Sequence, residues 1–207
     1  IALYNRKDLL GLRDLSADEI MTILNTAKEM KAKIDNPSLR DDSLSKSSIV
    51  TLFYENSTRT KMSFMLAGDY QGAIVKDLGV ATSSVSKGES LVDTGVTLDQ
   101  MGINIMIIRH QMTGAAHLLA KNVKASVVNA GDGSNEHPTQ ALLDLFTIME
   151  KKGSFEGLKV VILGDISHSR VARSNAFGLT KLGAKVTLAG PSTLVSNSMK
   201  SLGVEVE

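Results

Sequence analysis

Segments with strand-like and helix-like patterns alternate along the chain, and this alternation constrains the fold more than any other feature. The run SIVTLF at 48–53 is short, apolar and bounded by polar residues, which predicts a buried strand. A second apolar run lies at 103–108, and a helical pattern that Gly68 and Gly72 bring to an end lies between the two. Strands that alternate with helices indicate a parallel sheet with helices on both faces, so the sequence predicts a three-layer α/β fold.

The same reasoning extends to both ends of the chain. A capping box formed by Ser16 and Glu19 predicts the start of the first helix. The pattern restarts after Gly153, which predicts two similar α/β domains, the second of them incomplete. We expect a first domain at 1–136, a connecting helix at 137–152 and a partial second domain at 153–207. The other predicted strands are 73–77, 125–129, 158–163, 185–189 and 204–206, and the other predicted helices are 57–70, 89–101, 118–121, 138–151, 169–182 and a short piece opened by Pro191.

Charge and composition exclude several classes of function. The chain has 23 basic and 22 acidic residues and a net charge of +1, which does not favour nucleic acid or a membrane surface as a partner. It has no cysteine, which excludes disulfides, thiolate catalysis and cysteine zinc sites and fits a cytoplasmic protein. The start of the chain does not resemble a signal peptide. Ile1 in place of Met and the strand-like end at Glu207 suggest a piece of a longer protein.

Ligands of open α/β sheets bind outside the carboxyl ends of the strands, so the loops there are the first candidates for a site. Ser57, Thr58, Arg59 and Thr60 follow the strand 48–53, where a helix is predicted to begin. Backbone N–H groups of a helix N-terminus, three hydroxyls and a guanidinium would together suit a phosphate. The alternative is an ordinary helix cap beside a surface arginine, and the sequence alone leaves both open.

Other loops add polar groups, each with a plain structural alternative. Arg109 ends the strand 103–108, and His137 and Gln140 share the first predicted turn of the helix at 138–151. Lys87 lies in the polar loop SSVSKGE, and Arg170 follows the strand 158–163. Taken singly, each of these is more commonly a solvated surface residue. No G-x-G-x-x-G follows a strand, so a dinucleotide-binding domain is disfavoured.

An ordered set of motifs resembles the aspartate carbamoyltransferases. The motifs are FYENSTRT, SVSKGE, IIRH, NAGDGSNEHPTQALLDLF and GDISHSRVARSN, and they run from Phe53 to Asn175. The resemblance implies transfer of the carbamoyl group of carbamoyl phosphate to L-aspartate, which gives N-carbamoyl-L-aspartate and phosphate in pyrimidine biosynthesis. It implies no metal and no cofactor.

The resemblance also implies a role for each matching residue. Ser57, Thr58, Arg59 and Thr60 would bind the phosphate. Thr60, Arg109 and His137 would donate hydrogen bonds to the carbamoyl oxygen, which makes them, with Arg59, the expected catalytic residues. Gln140 would bind the carbamoyl nitrogen and Arg170 a carboxylate of aspartate.

The assembly implied by the resemblance is a homotrimer with shared active sites, in which Ser83 and Lys87 would reach a neighbouring subunit's site. Regulatory subunits are possible partners. Further aspartate-binding residues of the family lie beyond the position that matches Glu207. Two alternatives stay open: ornithine as the acceptor, and a non-catalytic module that binds carbamoyl phosphate.

Overall fold

The computed structural model describes residues 5–79 and 89–207, and they form two compact units. We call residues 5–10 and 28–133 the four-stranded unit, and residues 11–27 and 134–207 the three-stranded unit. The domain boundaries expected from the sequence, after residue 136 and before residue 153, stay a prediction.

Helices and strands alternate as the sequence predicts. The α-helices are α1 (Ala17–Asp35), α2 (Thr58–Asp69), α3 (Leu91–Gln100), α4 (Ala115–Asn122), α5 (Pro138–Lys152) and α6 (Arg170–Lys181). The strands are β1 (Ser48–Phe53), β2 (Ile74–Leu78), β3 (Ile105–His110), β4 (Ser126–Asp132), β5 (Lys159–Leu163), β6 (Lys185–Ala189) and β7 (Glu205–Val206). Short 3-10 helices cover Pro37–Leu39 and Asn197–Leu202.

The four-stranded sheet is parallel and has the order β2-β1-β3-β4. The chain moves outward from β1 to β2, then crosses over β1 to β3 and continues to β4. The direction of winding therefore reverses between β1 and β3. In open α/β sheets such a reversal opens a crevice at the carboxyl ends of the two strands, which is where ligands bind.

Apolar side chains cover both faces of this sheet. Val50 and Leu52 of β1 pack with Met106 and Ile108 of β3 and with Leu119 of α4. Ile49 and Phe53 of β1 lie in a second cluster, on the opposite face, that includes Phe64 of α2. A strand buried on both faces needs apolar residues at successive positions, which explains the unbroken run SIVTLF. The predicted three-layer α/β fold is confirmed.

The three-stranded sheet is also parallel, with the order β5-β6-β7. Leu188 of β6, Leu179 of α6 and Leu145 of α5 are almost fully buried. Val161 and Leu163 of β5 are 65% and 78% exposed. A run of apolar residues does not by itself show that both faces of a strand are covered.

Two local predictions need correction. The helical piece predicted from Pro191 is a turn, in which the N–H groups of Leu194 and Val195 both donate to the Pro191 carbonyl. The 3-10 helix starts later, where the Ser196 hydroxyl accepts the Ser198 N–H. Strand β4 also runs to Asp132, into a stretch predicted as a turn, because the register between β3 and β4 shifts near its end.

Candidate functional site

The α2 N-terminus lies directly after the carboxyl end of β1, as predicted. Ser57 is the N-cap, and its backbone is extended (φ −159°, ψ 93°). An N-cap serine normally accepts an N–H of the first turn, yet Ser57 makes no such bond. By contrast, the serines that cap α3 and α6 both accept an N–H of their helix. The structure therefore disfavours the alternative that Ser57 is an ordinary cap.

The surroundings of this helix start suit an anion. The first N–H groups of a helix have no acceptor inside the helix and carry a partial positive charge. No acidic residue lies in the first turn of α2. Thr58 and Arg59 are exposed, whereas Ser57 and Thr60 are half-buried. Donors from the backbone and from side chains thus lie on consecutive residues of one short segment.

Arg109 lies at the carboxyl end of β3, in register with Phe53 at the end of β1. Its Nε is 3.2 Å from Glu55 Oε2, and its Nη1 donates to the Ala130 carbonyl at 3.2 Å. The side chain is only 15% exposed. The Tyr54 N–H donates to the Arg109 carbonyl at 2.8 Å, which ties the loop leading to α2 to the end of β3. Arg109 is therefore held at the β1–β3 crevice.

His110 adds a titratable group next to Arg109. Its Nδ1 accepts the Met112 N–H at 2.9 Å, so the neutral ring carries its proton on Nε2. Burial lowers the pKa of His110, and the nearby carboxylates of Glu55 and Asp132 oppose this effect without cancelling it. The His110 ring also contacts the Tyr54 ring, with the centroids 4.6 Å apart.

In the three-stranded unit, His137 is the N-cap of α5, and it is 6% exposed. Its N–H donates to the Ser174 hydroxyl at 2.9 Å. That hydroxyl donates in turn to Glu136 Oε2 at 2.9 Å, and the same carboxylate accepts the N–H groups of Leu12 and Arg13 at 2.7 and 3.2 Å. A buried carboxylate that accepts several hydrogen bonds thus lies next to His137.

Gln140 lies in the first turn of α5 and is half-buried. Its Nε2 donates to Asp144 Oδ1 at 3.0 Å, and Asp144 Oδ2 accepts Asn175 Nδ2 at 2.7 Å. Arg170 is the first residue of α6 and is also half-buried. The predicted residues of this unit therefore lie at the starts of two helices that pack together.

The structure thus brings the predicted residues together in two groups. Ser57 to Thr60 and Arg109 lie at the carboxyl ends of β1 and β3, and His137, Gln140 and Arg170 lie at the starts of α5 and α6. Ser83 and Lys87 lie outside the described residues. Glu55, Glu136, Asp144 and Ser174 contact the predicted residues but were missed, although all four lie inside the motifs quoted above.

The described residues lack two kinds of feature. Within 5–79 and 89–207, no group of three or more His, Cys, Asp or Glu side chains could hold a metal ion. No helix in the same ranges is long and apolar enough to cross a membrane.

Three comparisons with known proteins agree on one family. The model described as "Aspartate/ornithine carbamoyltransferase, carbamoyl-P binding domain" matches residues 7–150. The aspartate carbamoyltransferase catalytic subunits of Ruminiclostridium cellulolyticum and Acetivibrio thermocellus are each 62% identical to the chain over 200 residues. The match covers 97% of the chain and 64% of each relative, so the chain spans less than two thirds of their length.

Solved structures give the same result. Aspartate transcarbamoylase from Trypanosoma cruzi in complex with carbamoyl phosphate matches with a TM-score of 0.87 and 30% identity, over 97% of this chain and 65% of that one. Its complex with carbamoyl phosphate and aspartate has the same TM-score and identity and is covered to 69%. The chain therefore belongs to the aspartate/ornithine carbamoyltransferase family.

Proposed function

We propose that the chain binds carbamoyl phosphate, and that the protein it forms transfers the carbamoyl group to L-aspartate. The observation that carries the proposal is the helix start at the β1–β3 crevice, where the Ser57 side chain does not cap the first turn of α2 and Arg109 ends the neighbouring strand β3. The products are N-carbamoyl-L-aspartate and phosphate, a reaction of pyrimidine biosynthesis. The two bacterial relatives described above carry the name of this enzyme, and two T. cruzi structures hold its substrates, which supports aspartate as the acceptor.

In this proposal, Ser57, Thr58, Arg59 and Thr60 bind the phosphate. The α2 N-terminus supplies N–H donors, and the Arg59 guanidinium offers a planar fork that matches two phosphate oxygens. The net charge of the chain is only +1, so attraction of the anion depends on this local group and not on the overall field.

Thr60, Arg109 and His137 donate to the carbamoyl oxygen in the proposed reaction. Attack by the amine of aspartate places negative charge on that oxygen, and donors that are held in place stabilise the charge without reorganising. Loss of one such donor typically costs about 3 kcal/mol of activation free energy. Gln140 binds the carbamoyl nitrogen, and Arg170 binds a carboxylate of aspartate.

The assembly and location are further parts of the proposal. A homotrimer in which Ser83 and Lys87 serve a neighbouring subunit's site, regulatory subunits and a cytoplasmic location all follow from the family resemblance. Sedimentation of the purified chain tests the trimer, and a single species at the monomer mass would contradict it.

Phosphate binding is tested with Arg59→Ala. We expect it to weaken carbamoyl phosphate binding at least tenfold in isothermal titration calorimetry, since hydrogen bonds to a charged partner are worth about 1.5–3 kcal/mol. Arg40→Ala is the matched control, because Arg40 is exposed and its guanidinium lies over the Tyr70 ring. Equal affinity of the two variants would refute the assigned cradle.

The acceptor and the alternatives are tested by product. We expect N-carbamoyl-L-aspartate when the enzyme is offered aspartate and ornithine together with carbamoyl phosphate. Citrulline would instead show an ornithine carbamoyltransferase. Binding of carbamoyl phosphate without either product would favour the non-catalytic module.

A further inference from the structure

Three side chains form a continuous hydrogen-bonded link between α5 and α6. Gln140 and Asp144 lie one helical turn apart on α5, and the Gln140 Nε2 donates to Asp144 Oδ1 at 3.0 Å. Asn175 of α6 donates its Nδ2 to the other oxygen, Asp144 Oδ2, at 2.7 Å. Asn175 is 8% exposed, so the link closes on a buried side chain.

The chemistry of Asp144 fixes the orientation of both amides. An ionised carboxylate only accepts hydrogen bonds, whereas an amide side chain has a donor end and an acceptor end. Each amide must therefore turn its NH2 group toward Asp144, because the reverse orientation would place two acceptors against each other. The Gln140 carbonyl oxygen consequently points away from Asp144, and no described residue donates to it.

Asn175 shows how strongly this orientation is imposed. Its Oδ1 is buried and has no hydrogen-bond partner within the part of the chain that the structure describes. An unsatisfied buried acceptor costs about 1–3 kcal/mol. Turning the amide over would direct its oxygen at the carboxylate and lose a charge-assisted bond, so Asn175 stays a donor to Asp144.

We propose that Asp144 and Asn175 are positioning residues that make Gln140 present a hydrogen-bond acceptor, and that they thereby select a carbamoyl group over an acetyl group. The inference rests on the proposed function, in which Gln140 binds the carbamoyl nitrogen. A carbamoyl group has an NH2 that donates to an acceptor. An acetyl group of the same shape has a methyl there, which leaves the Gln140 oxygen unpaired.

The plain alternative is that the link only clamps α5 to α6. Such a clamp affects stability and the affinity for every ligand alike, whereas a positioning role affects the ratio between an amide and its methyl analogue. Phosphonoacetamide and 2-oxopropylphosphonate form a suitable pair, since both carry a phosphonate on CH2 and differ by NH2 against CH3.

The test measures dissociation constants of both compounds by calorimetry on the full chain. We expect the wild type to bind phosphonoacetamide about tenfold more tightly, as is typical of one hydrogen bond that is made or left unpaired. Asp144→Asn keeps the shape of the side chain but has a single acceptor oxygen. It can therefore accept from the NH2 group of Gln140 or of Asn175, but not from both. Gln140 can then turn its NH2 outward, and the ratio should fall to about twofold or less.

A rescue variant separates orientation from packing. In Asp144→Asn combined with Asn175→Asp, the new carboxylate at 175 accepts the NH2 of the amide at 144, whose oxygen again accepts from Gln140. We expect this double variant to regain a ratio of at least fivefold. Asn175→Ala removes one of the two partners of Asp144 and should lower the ratio of the two dissociation constants by two- to threefold. It replaces Asp144→Asn in the test if that variant does not fold.

The outcomes are distinct. An unchanged ratio in folded Asp144→Asn, or an equal loss of affinity for both compounds, would overturn the positioning role and leave a clamp. If Asp144→Asn does not fold, an unchanged ratio in Asn175→Ala overturns it. Failure of the double variant to recover the ratio would also overturn it. If the wild type binds neither phosphonate nor inorganic phosphate, the proposed function itself fails.

Discussion

Replacing Ser174 with Ala should destabilise the chain far more than the loss of one hydroxyl from its surface. Ser174 is fully buried in α6, and its hydroxyl makes two hydrogen bonds. It donates to Glu136 at 2.9 Å and accepts the His137 N–H at 2.9 Å. Alanine fills nearly the same volume but has neither group, so both partners lose a bond inside the protein.

The magnitude follows from what each partner retains. Glu136 keeps the N–H donors of Leu12 and Arg13, so its carboxylate loses one donor and is not left unpaired. A hydrogen bond to a charged group contributes about 1.5–3 kcal/mol. The His137 N–H precedes α5 and loses its bond to the Ser174 hydroxyl, and a hydrogen bond of this kind contributes about 0.5–1.5 kcal/mol. The two costs share one hydroxyl and do not simply add, so we expect a loss of about 3 kcal/mol in the free energy of unfolding.

Urea denaturation followed by circular dichroism measures this loss. With a slope of about 2 kcal/mol per M, the midpoint should fall by about 1.5 M. Ser201→Ala is the matched control because Ser201 is exposed, and a surface substitution of this kind stays within about 0.5 kcal/mol. A Ser174→Ala midpoint equal to that of the control would refute the reasoning, since it would show that the buried network contributes nothing.

Three further predictions concern the four-stranded unit. Gly95→Ala should lower the free energy of unfolding by about 1–3 kcal/mol in urea denaturation, because its Cβ would lie 2.2 Å from Leu119 Cδ1; an unchanged midpoint would contradict the packing. Burial lowers the pKa of His110, so the neutral ring is favoured in the fold and stability should decline as pH falls from 6.5 toward the folded pKa. Titration of His110 by NMR at or above 6.5 would contradict this. The Ala125 N–H donates to Asp99 and holds the pKa of that carboxyl below 3.8. The ionised Asp99 should therefore stabilise the fold above pH 3.8, and this stabilisation should disappear as pH falls through the folded pKa. Titration of the Asp99 carboxyl by NMR at 3.8 or higher would contradict this prediction.

Local patterns were sufficient for the fold because each element carries its own signal. The run SIVTLF has the apolar continuity of a strand covered on both faces, and the boundaries of β1 match the structure residue for residue. The errors arise where tertiary pairing decides. Strand β4 reaches Asp132 through a stretch of Ala and Gly, since pairing with β3 continues past a shift in register.

The residues that contact the proposed ligand-binding residues could not be predicted in the same way. Glu136 and Ser174 are 38 positions apart, and nothing in the sequence indicates that their side chains meet. The i,i+4 spacing of Gln140 and Asp144 was visible, but Asn175 reaches Asp144 from another helix. Single positions suggested donors and acceptors, whereas the orientation of those groups depends on tertiary contacts.

Several buried polar groups of the described residues lie near the ends of the elements that carry the proposed ligand-binding residues, and this placement has a physical reason. Asn129 and Asp132 lie at the end of β4, where Asp132 accepts the Gly114 N–H at 2.8 Å. Glu136 and Ser174 fix the backbone of His137 in the other unit. Burying polar groups stabilises less than apolar packing of the same volume, so their value here is in geometry. Donors that are already fixed lose little entropy when a small anion binds or an oxyanion develops. This matters for a ligand as small as carbamoyl phosphate, because it makes few contacts that could offset the entropy cost of ordering mobile donors.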